Sequence, residues 1–388
     1  MPKFEISSLF KNLIIFGSIP LVYFSLKDKN YDKKIIWLFL ASFVIQIVSW
    51  VNSLIVIPEY ARSAPDVKVL SSLFLFVFIS FWIGSSKKKR LVLFSTLVFS
   101  FIFTVLHHNY LYDSFSLAFS GQRVDFGLHN AQYTTMIAAV IMMVSIYMSP
   151  QNIKENKNSK IILLTVIIAF SAIVFVVSQT RQVWLAMAII LFILPLLTLK
   201  KWSRSLIGGL YLIIFSLGVL GLNSNIIQKR TSGDGQAVER IISGDWDNIP
   251  MTSSGVRFNS WLEARSWILE SPILGASKSA VKQVIQQSEL FQSNDKTKGF
   301  GHLHNYYIET IVSFGFIGFV FLIFFYITAY NNITHYADHK TKIFFICFLG
   351  FWLIINNFES YNSKYYGLYI QNILLGGLFF MPKPKVEN

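Results

Sequence analysis

The sequence predicts an all-α, polytopic integral membrane protein with eleven or twelve transmembrane helices and one large loop on the outer side. Three observations carry that prediction. Of 388 residues, 53% are hydrophobic, 37 are Phe, and only 14% are charged. Uncharged apolar runs of membrane length recur along the chain. The basic residues between those runs alternate in abundance from one loop to the next. A helical span takes about 20 apolar residues, because every backbone amide must bond within its own segment across a hydrocarbon layer about 30 Å thick.

Segments that qualify are 9–26, 35–57, 69–84, 91–106, 131–148, 161–177, 183–199, 205–222, 305–330, 343–355 and 365–380. The first has a Lys-containing start but no small-residue cleavage site, so it reads as a retained span and not a removed leader. Loops at 27–34, 87–90, 154–160, 200–204 and 340–342 and the tail at 383–385 carry eighteen Lys and Arg. The opposite short loops carry five: Arg62, Lys68, Arg123, Arg181 and Lys364. The positive-inside rule therefore puts the first group and the C-terminus in the cytoplasm and the long loop outside. Eleven spans put the N-terminus outside; a broken pair in the first segment would raise the count to twelve. The organisation is a single membrane domain: N-terminal spans over 1–222, an external loop with short helices over 223–303, and C-terminal spans over 304–388.

Composition also excludes several classes of function. A formal charge of +14 invites nucleic acid, but the cations sort by membrane side, which topology and contacts with membrane lipid headgroups explain. Cys347, the only cysteine, sits in an apolar span, so there is no disulfide framework. No zinc or calcium spacing, Gly-rich phosphate loop or dinucleotide fingerprint occurs, and no metal or cofactor is expected. A transporter of a charged lipid would place ionisable residues at mid-membrane depth. The spans at 35–57, 69–84, 131–148, 161–177 and 205–222 contain no Asp, Glu, Lys or Arg.

The chemistry is expected where polar residues gather on the outer side. SQTRQVW, residues 178–184, is a tight turn between two spans, and Arg181 stands at a helix start where the helix dipole disfavours a cation. The stretch 257–270 reads as a short helix ended by Ser271 and Pro272. Arg257, Trp261, Ala264, Arg265 and Ile268 share a face, which suits an interfacial helix whose indole lies at headgroup level and whose arginines reach phosphate. A surface helix using its arginines for solubility is the plainer alternative. In GHLHN, His302, His304 and Asn305 stand where the chain returns to the membrane, and histidine exchanges protons near neutral pH. His304 is the expected base, with His302 as the alternative. Glu309, a turn and a half deeper, is expected to orient a neighbour. The external stretch 107–130, with Arg123, Asp125 and His129, is long enough to fold back toward a site.

SQTRQVWLA, then GVRFNSWLEARSWILESPILG, then GHLHNYYIETIVSFGFIG, in that order around a long external loop, resemble the bacterial O-antigen ligase family. Its wider superfamily includes O-antigen polymerases and protein O-oligosaccharyltransferases. The pieces span residues 178–318, or 141 of 388 residues; the other spans agree only in being hydrophobic. The resemblance implies a membrane glycosyltransferase of GT-C type, free of metal and cofactor, at the periplasmic face of the bacterial inner membrane. It would transfer O-antigen from undecaprenyl pyrophosphate to a sugar hydroxyl of lipid A-core. It implies Arg181 and Arg257 as pyrophosphate ligands and His304 as catalytic base; Arg265, His302 and Asn305, from the same segments, are expected as further substrate contacts. Family members usually have twelve spans, one more than the eleven counted. A polymerase or a protein O-oligosaccharyltransferase of the same superfamily, or a lipid-linked glycan flippase, is the alternative. Donor sugars, acceptor sugar and oligomeric state are not written in the sequence.

Overall fold

The computed structural model describes residues 12–20, 31–149, 158–198 and 232–381, with isolated positions at 23–24, 27–28, 205, 208–209 and 211–212. Among the described residues the architecture is all-helical. In chain order the elements are α1 (Lys33–Val56), α2 (Lys68–Ser71), a 3-10 turn (Ser72–Phe74), α3 (Leu75–Ile83), α4 (Lys87–Tyr112), α5 (Ser114–Phe119), α6 (Ala131–Met148), α7 (Asn158–Val177) and α8 (Arg181–Thr198). They continue as α9 (Gly235–Ser243), α10 (Ser253–Glu270), α11 (Ser277–Gln286), α12 (Glu289–Gln292), α13 (Tyr306–Tyr336), α14 (His339–Ile355) and α15 (Tyr365–Leu378).

Five described helices, α1, α4, α6, α7 and α13, are long and apolar enough to cross a membrane, and the chain is a multi-pass membrane protein. Helices α1, α4 and α7 leave large apolar side chains such as Val44, Phe99, Phe103 and Ile162 on the surface, while α6 is mostly buried. An apolar exterior costs nothing against lipid, whose chains are as apolar as the side chains themselves. The expected span 205–222 lies largely outside the described residues, as do parts of 9–26.

The expected span 69–84 is broken into α2, the 3-10 turn and α3. Neighbouring side chains make the break tolerable by meeting the freed backbone groups. Asn372 of α15 accepts from the Phe76 amide at 2.7 Å and donates to the Ser72 carbonyl at 3.1 Å. Buried Gln46 of α1 accepts from the Leu70 amide and donates to the Val67 carbonyl.

A second interruption positions the polar region between α8 and α13. Helix α13 leaves helical geometry at Gly315, whose φ is 62°. Residues 271–276 enter the gap: the Phe316 amide donates to the Pro272 carbonyl at 2.8 Å, and the Ala276 amide donates to the Val312 carbonyl at 3.0 Å. From α1, Asn52 donates to Ser271 Oγ and to the Gly275 carbonyl, both at 2.7 Å. Helices α10 and α11 pack on the top of α13 around a small core of Val256, Ala264, Ala280, Val284, Phe291, Leu303 and Val312. Residues 253–303 are thus one body with the spans they pack on.

Helix α10 begins at Ser253, four residues before its expected start, because Thr252 caps it by accepting from the Gly255 amide. Its buried residues are small: Gly255, Val256, Asn259, Ser260 and Ala264. Trp261, the indole expected at headgroup level, donates its Nε1 proton to the Leu303 carbonyl at 2.9 Å.

Candidate functional site

Three segments converge at the outer end of the bundle. The first leads into α13. Asn305 caps that helix, its side-chain oxygen accepting from the Tyr307 and Ile308 amides at 3.0 and 3.1 Å. Buried Leu303 is clamped from both sides: its carbonyl accepts from Ser260 Oγ and Trp261 Nε1, and its amide donates to Glu309. Between these fixed points His304 holds φ at 52°, a left-handed conformation that costs a non-glycine residue about 1–3 kcal/mol and persists only when its surroundings impose it.

The second segment is the connection between α14 and α15, which carries Glu359. This carboxylate is 3% exposed; Oε2 lies 3.0 Å from His304 Nδ1, and Oε1 accepts from the Ser360 amide at 3.2 Å. Burial pushes the Glu359 carboxyl up, but the hydrogen bond with His304 and the fields of His304, His302 and Arg257 outweigh it and hold the group below the usual carboxylate range. Beneath them Glu309 accepts from Lys278 Nζ and Ser360 Oγ, both at 2.6 Å, and from Ser363 Oγ at 3.2 Å. Glu309 therefore ties α11, the start of α13 and the Glu359 connection together.

Arginines come from the third group of segments. The turn before α8 has Gln179 at φ 54°, and its side chain donates to the Gly121 carbonyl at 3.1 Å, drawing in the strip that carries Arg123. Arg181 pairs with Asp234, whose other oxygen accepts from the Ser254 amide at the start of α10. Burial pushes the Asp234 carboxyl up, yet hydrogen bonds from Thr252, the Ser254 amide and Arg181 bring it below its ordinary value. Arg257 donates Nε to the Phe358 carbonyl at 3.1 Å and Nη1 to the Ser253 carbonyl and hydroxyl. These bonds fix the plane of the guanidinium. Burial lowers its proton affinity, opposed by Glu359, and arginine remains a cation. Arg123, Arg181 and Arg257 line a cavity of about 360 Å³ with Gln132, Gln182, Asp234 and Thr252. Three cations against one carboxylate leave that cavity with a net positive charge, which favours an anion.

Arg181, Arg257, His302 and His304 thus converge, with Asn305 beside them, and Arg265 does not. Arg265 is exposed, two turns along α10 from Arg257, and outside the cavity lining. Asn305, next to His304, uses its carboxamide oxygen to cap α13. Sequence reasoning missed Glu359, Asp234 and the placement of Arg123. An acidic residue in NNFESYNSK, the short link between α14 and α15, was the available signal for Glu359. His302 packs edge-on against His304 with ring centroids 4.0 Å apart. Burial first, and His304 second, push its imidazole down to about 4, so it is neutral at physiological pH. No metal spacing was legible in the sequence, yet His302, His304 and Glu359 each offer a donor atom, all within 4.8 Å of one another.

Residues 164–323 match the family model described as O-antigen ligase. The match covers most of α7, α8 with Arg181, the helices α9 to α12 with Arg257, the two histidines and the start of α13. A protein of Haemophilus influenzae described as uncharacterized is 25% identical over 364 residues, 90% of this chain and 86% of that protein.

Proposed function

With residues 164–323 forming a domain of the O-antigen ligase family, whose members are glycosyltransferase-like enzymes, we propose that this protein is itself an O-antigen ligase. In this reading it transfers O-antigen polysaccharide from undecaprenyl pyrophosphate to a sugar hydroxyl of lipid A-core at the periplasmic face of the inner membrane. The observation that supports it is an arginine-lined cavity beside a carboxylate-held histidine, bridged by Arg257, which bonds the carbonyl of Phe358 next to Glu359.

The lipid pyrophosphate is already a good leaving group. Arg181 and Arg257, with Arg123 on the rim, hold it and take up the charge that grows as the bond from the anomeric carbon to the phosphate oxygen breaks. Planar guanidinium groups bind phosphate oxygens in pairs, so the charge is met without a metal. Glu359 keeps the imidazole proton on Nδ1, leaving the lone pair of His304 on Nε2. The acceptor oxygen attacks the anomeric carbon opposite the leaving group while its proton passes to Nε2. The bonding pair departs with the pyrophosphate, and the configuration inverts.

The test is the lipopolysaccharide of a cell lacking the protein, joined to a reconstituted assay. Long chains stranded on the lipid carrier support the ligase; core bearing a single repeat points to a polymerase; an unchanged profile refutes both. In the assay, His304→Ala should lose about 100-fold to 10,000-fold in transfer, the usual contribution of a positioned base. EDTA should leave the wild-type rate intact.

A further inference from the structure

The corner occupied by His304 has a second chemical capacity. Two imidazole nitrogens and one carboxylate oxygen are a donor set that zinc takes in three-ligand protein sites, whereas calcium and magnesium require more oxygens. His304 Nδ1 lies 3.0 Å from Glu359 Oε2, and His302 Nδ1 lies 3.8 Å from Glu359 Oε1. Around a tetrahedral zinc with bonds of about 2.0–2.2 Å, neighbouring donor atoms sit about 3.3–3.6 Å apart, whereas the three donors here lie within 4.8 Å of one another, so rotations that bring the widest pair together by about 1 Å would close the site.

An independent feature points to a missing partner. His302 Nδ1 is buried and has no hydrogen-bond partner among the described residues. An unmet buried polar atom costs about 1–3 kcal/mol, and a cation at this position would meet it. The frame is also fixed in advance. Leu303 is clamped between the two histidines, Glu359 is anchored through the Ser360 amide, and Phe300 stacks on His302 and meets His304 edge-on. An apolar wall and oriented ligands both favour metal binding. Arg257 and Lys364 oppose a further cation, while the Glu309 and Glu359 carboxylates favour one.

We propose that His302, His304 and Glu359 form an inhibitory site for a transition-metal dication of the zinc class. Binding through Nδ1 leaves a neutral imidazole with its proton on Nε2. That nitrogen then donates instead of accepting, and the acceptor hydroxyl loses its base. The inhibitory clause rests on the reading of His304 as general base; the binding clause does not.

The experiment uses the full chain in detergent, purified with a histidine-free tag and treated with chelator. Zinc chloride is titrated against a colorimetric chelator, cobalt(II) chloride is followed by its visible absorption, and transfer is measured with and without zinc. Expected are one high-affinity zinc per chain, a tetrahedral cobalt spectrum, and transfer that falls with zinc and returns with EDTA, with magnesium inert. His302→Gln and Glu359→Gln should weaken zinc binding at least about tenfold, and His302→Gln should lower zinc sensitivity relative to its own zinc-free rate. Unchanged zinc affinity in both variants, or a cobalt spectrum without tetrahedral character, overturns the site. The cobalt measurement is made on the wild type, so it does not depend on a variant folding. Absent zinc binding alongside normal, His304-dependent transfer refutes the metal site and leaves the ligase reading standing. Zinc bound at these residues without slowing transfer refutes the inhibition and counts against His304 as base.

Discussion

Replacing Glu359 by glutamine tests the arrangement most directly, because the change keeps the shape of a side chain that is 3% exposed and removes only its charge. Its 3.0 Å contact with His304 Nδ1 is a hydrogen bond to an ionised acceptor. Such bonds contribute about 1.5–3 kcal/mol against about 0.5–1.5 for a neutral pair, so the amide forfeits about 1–1.5 kcal/mol. At 1.36 kcal/mol per decade that is about tenfold in rate. A second effect is larger. An amide nitrogen turned toward Nδ1 fixes the imidazole proton on Nε2, the nitrogen that must accept, and the comparable carboxylate-to-amide swap in a serine-hydrolase triad costs about 10,000-fold. The expected loss for Glu359→Gln is therefore about 100-fold to 10,000-fold in kcat, with the donor KM within about twofold of wild type. The assay is transfer from undecaprenyl-pyrophosphate-linked glycan to lipid A-core by purified protein in detergent. A melting curve confirms that the variant is folded. A folded Glu359→Gln within about threefold of the wild-type kcat would refute the claim that this carboxylate sets the tautomer of His304.

Arg257→Lys should lose at least about tenfold in kcat/KM, because a single ammonium cannot reach Phe358 and Ser253 while also presenting a planar fork to phosphate; steady-state kinetics with varied donor check it, and full activity would contradict the assignment. Arg265→Ala, by contrast, should stay within about threefold of wild type in the same assay, since that side chain is exposed and outside the cavity. Gly315→Ala should markedly lower the yield of folded protein, because φ is 62° and a Cβ there would collide with the carbonyl of Ile273; size-exclusion recovery and a melting curve report it. For topology, Ser293→Cys should react with a membrane-impermeant thiol reagent in intact spheroplasts while Ser86→Cys should not, and the reverse pattern would invert the orientation read from the basic loops.

Composition alone determined the class of this protein, because a membrane leaves so few solutions: apolar runs must be helices. The arginine turn, the helix within the external loop and the histidine pair were legible for the same reason, since each is local and sits at a membrane edge. What the sequence did not determine is who meets whom. Glu359 is 55 residues from His304, and Asp234 is 53 from Arg181, so no spacing rule joins either pair. Arg265 carried the right residue type in the right segment, yet α10 turns it to solvent. The breaks at Ser72–Phe74 and Gly315 were equally hidden, because the groups that satisfy them, Asn372 and the chain from Pro272 to Ala276, come from elsewhere. Hydropathy and charge are properties of a segment and survive in one dimension. Hydrogen-bond partners are properties of a packed bundle, and only the tertiary structure assigns them.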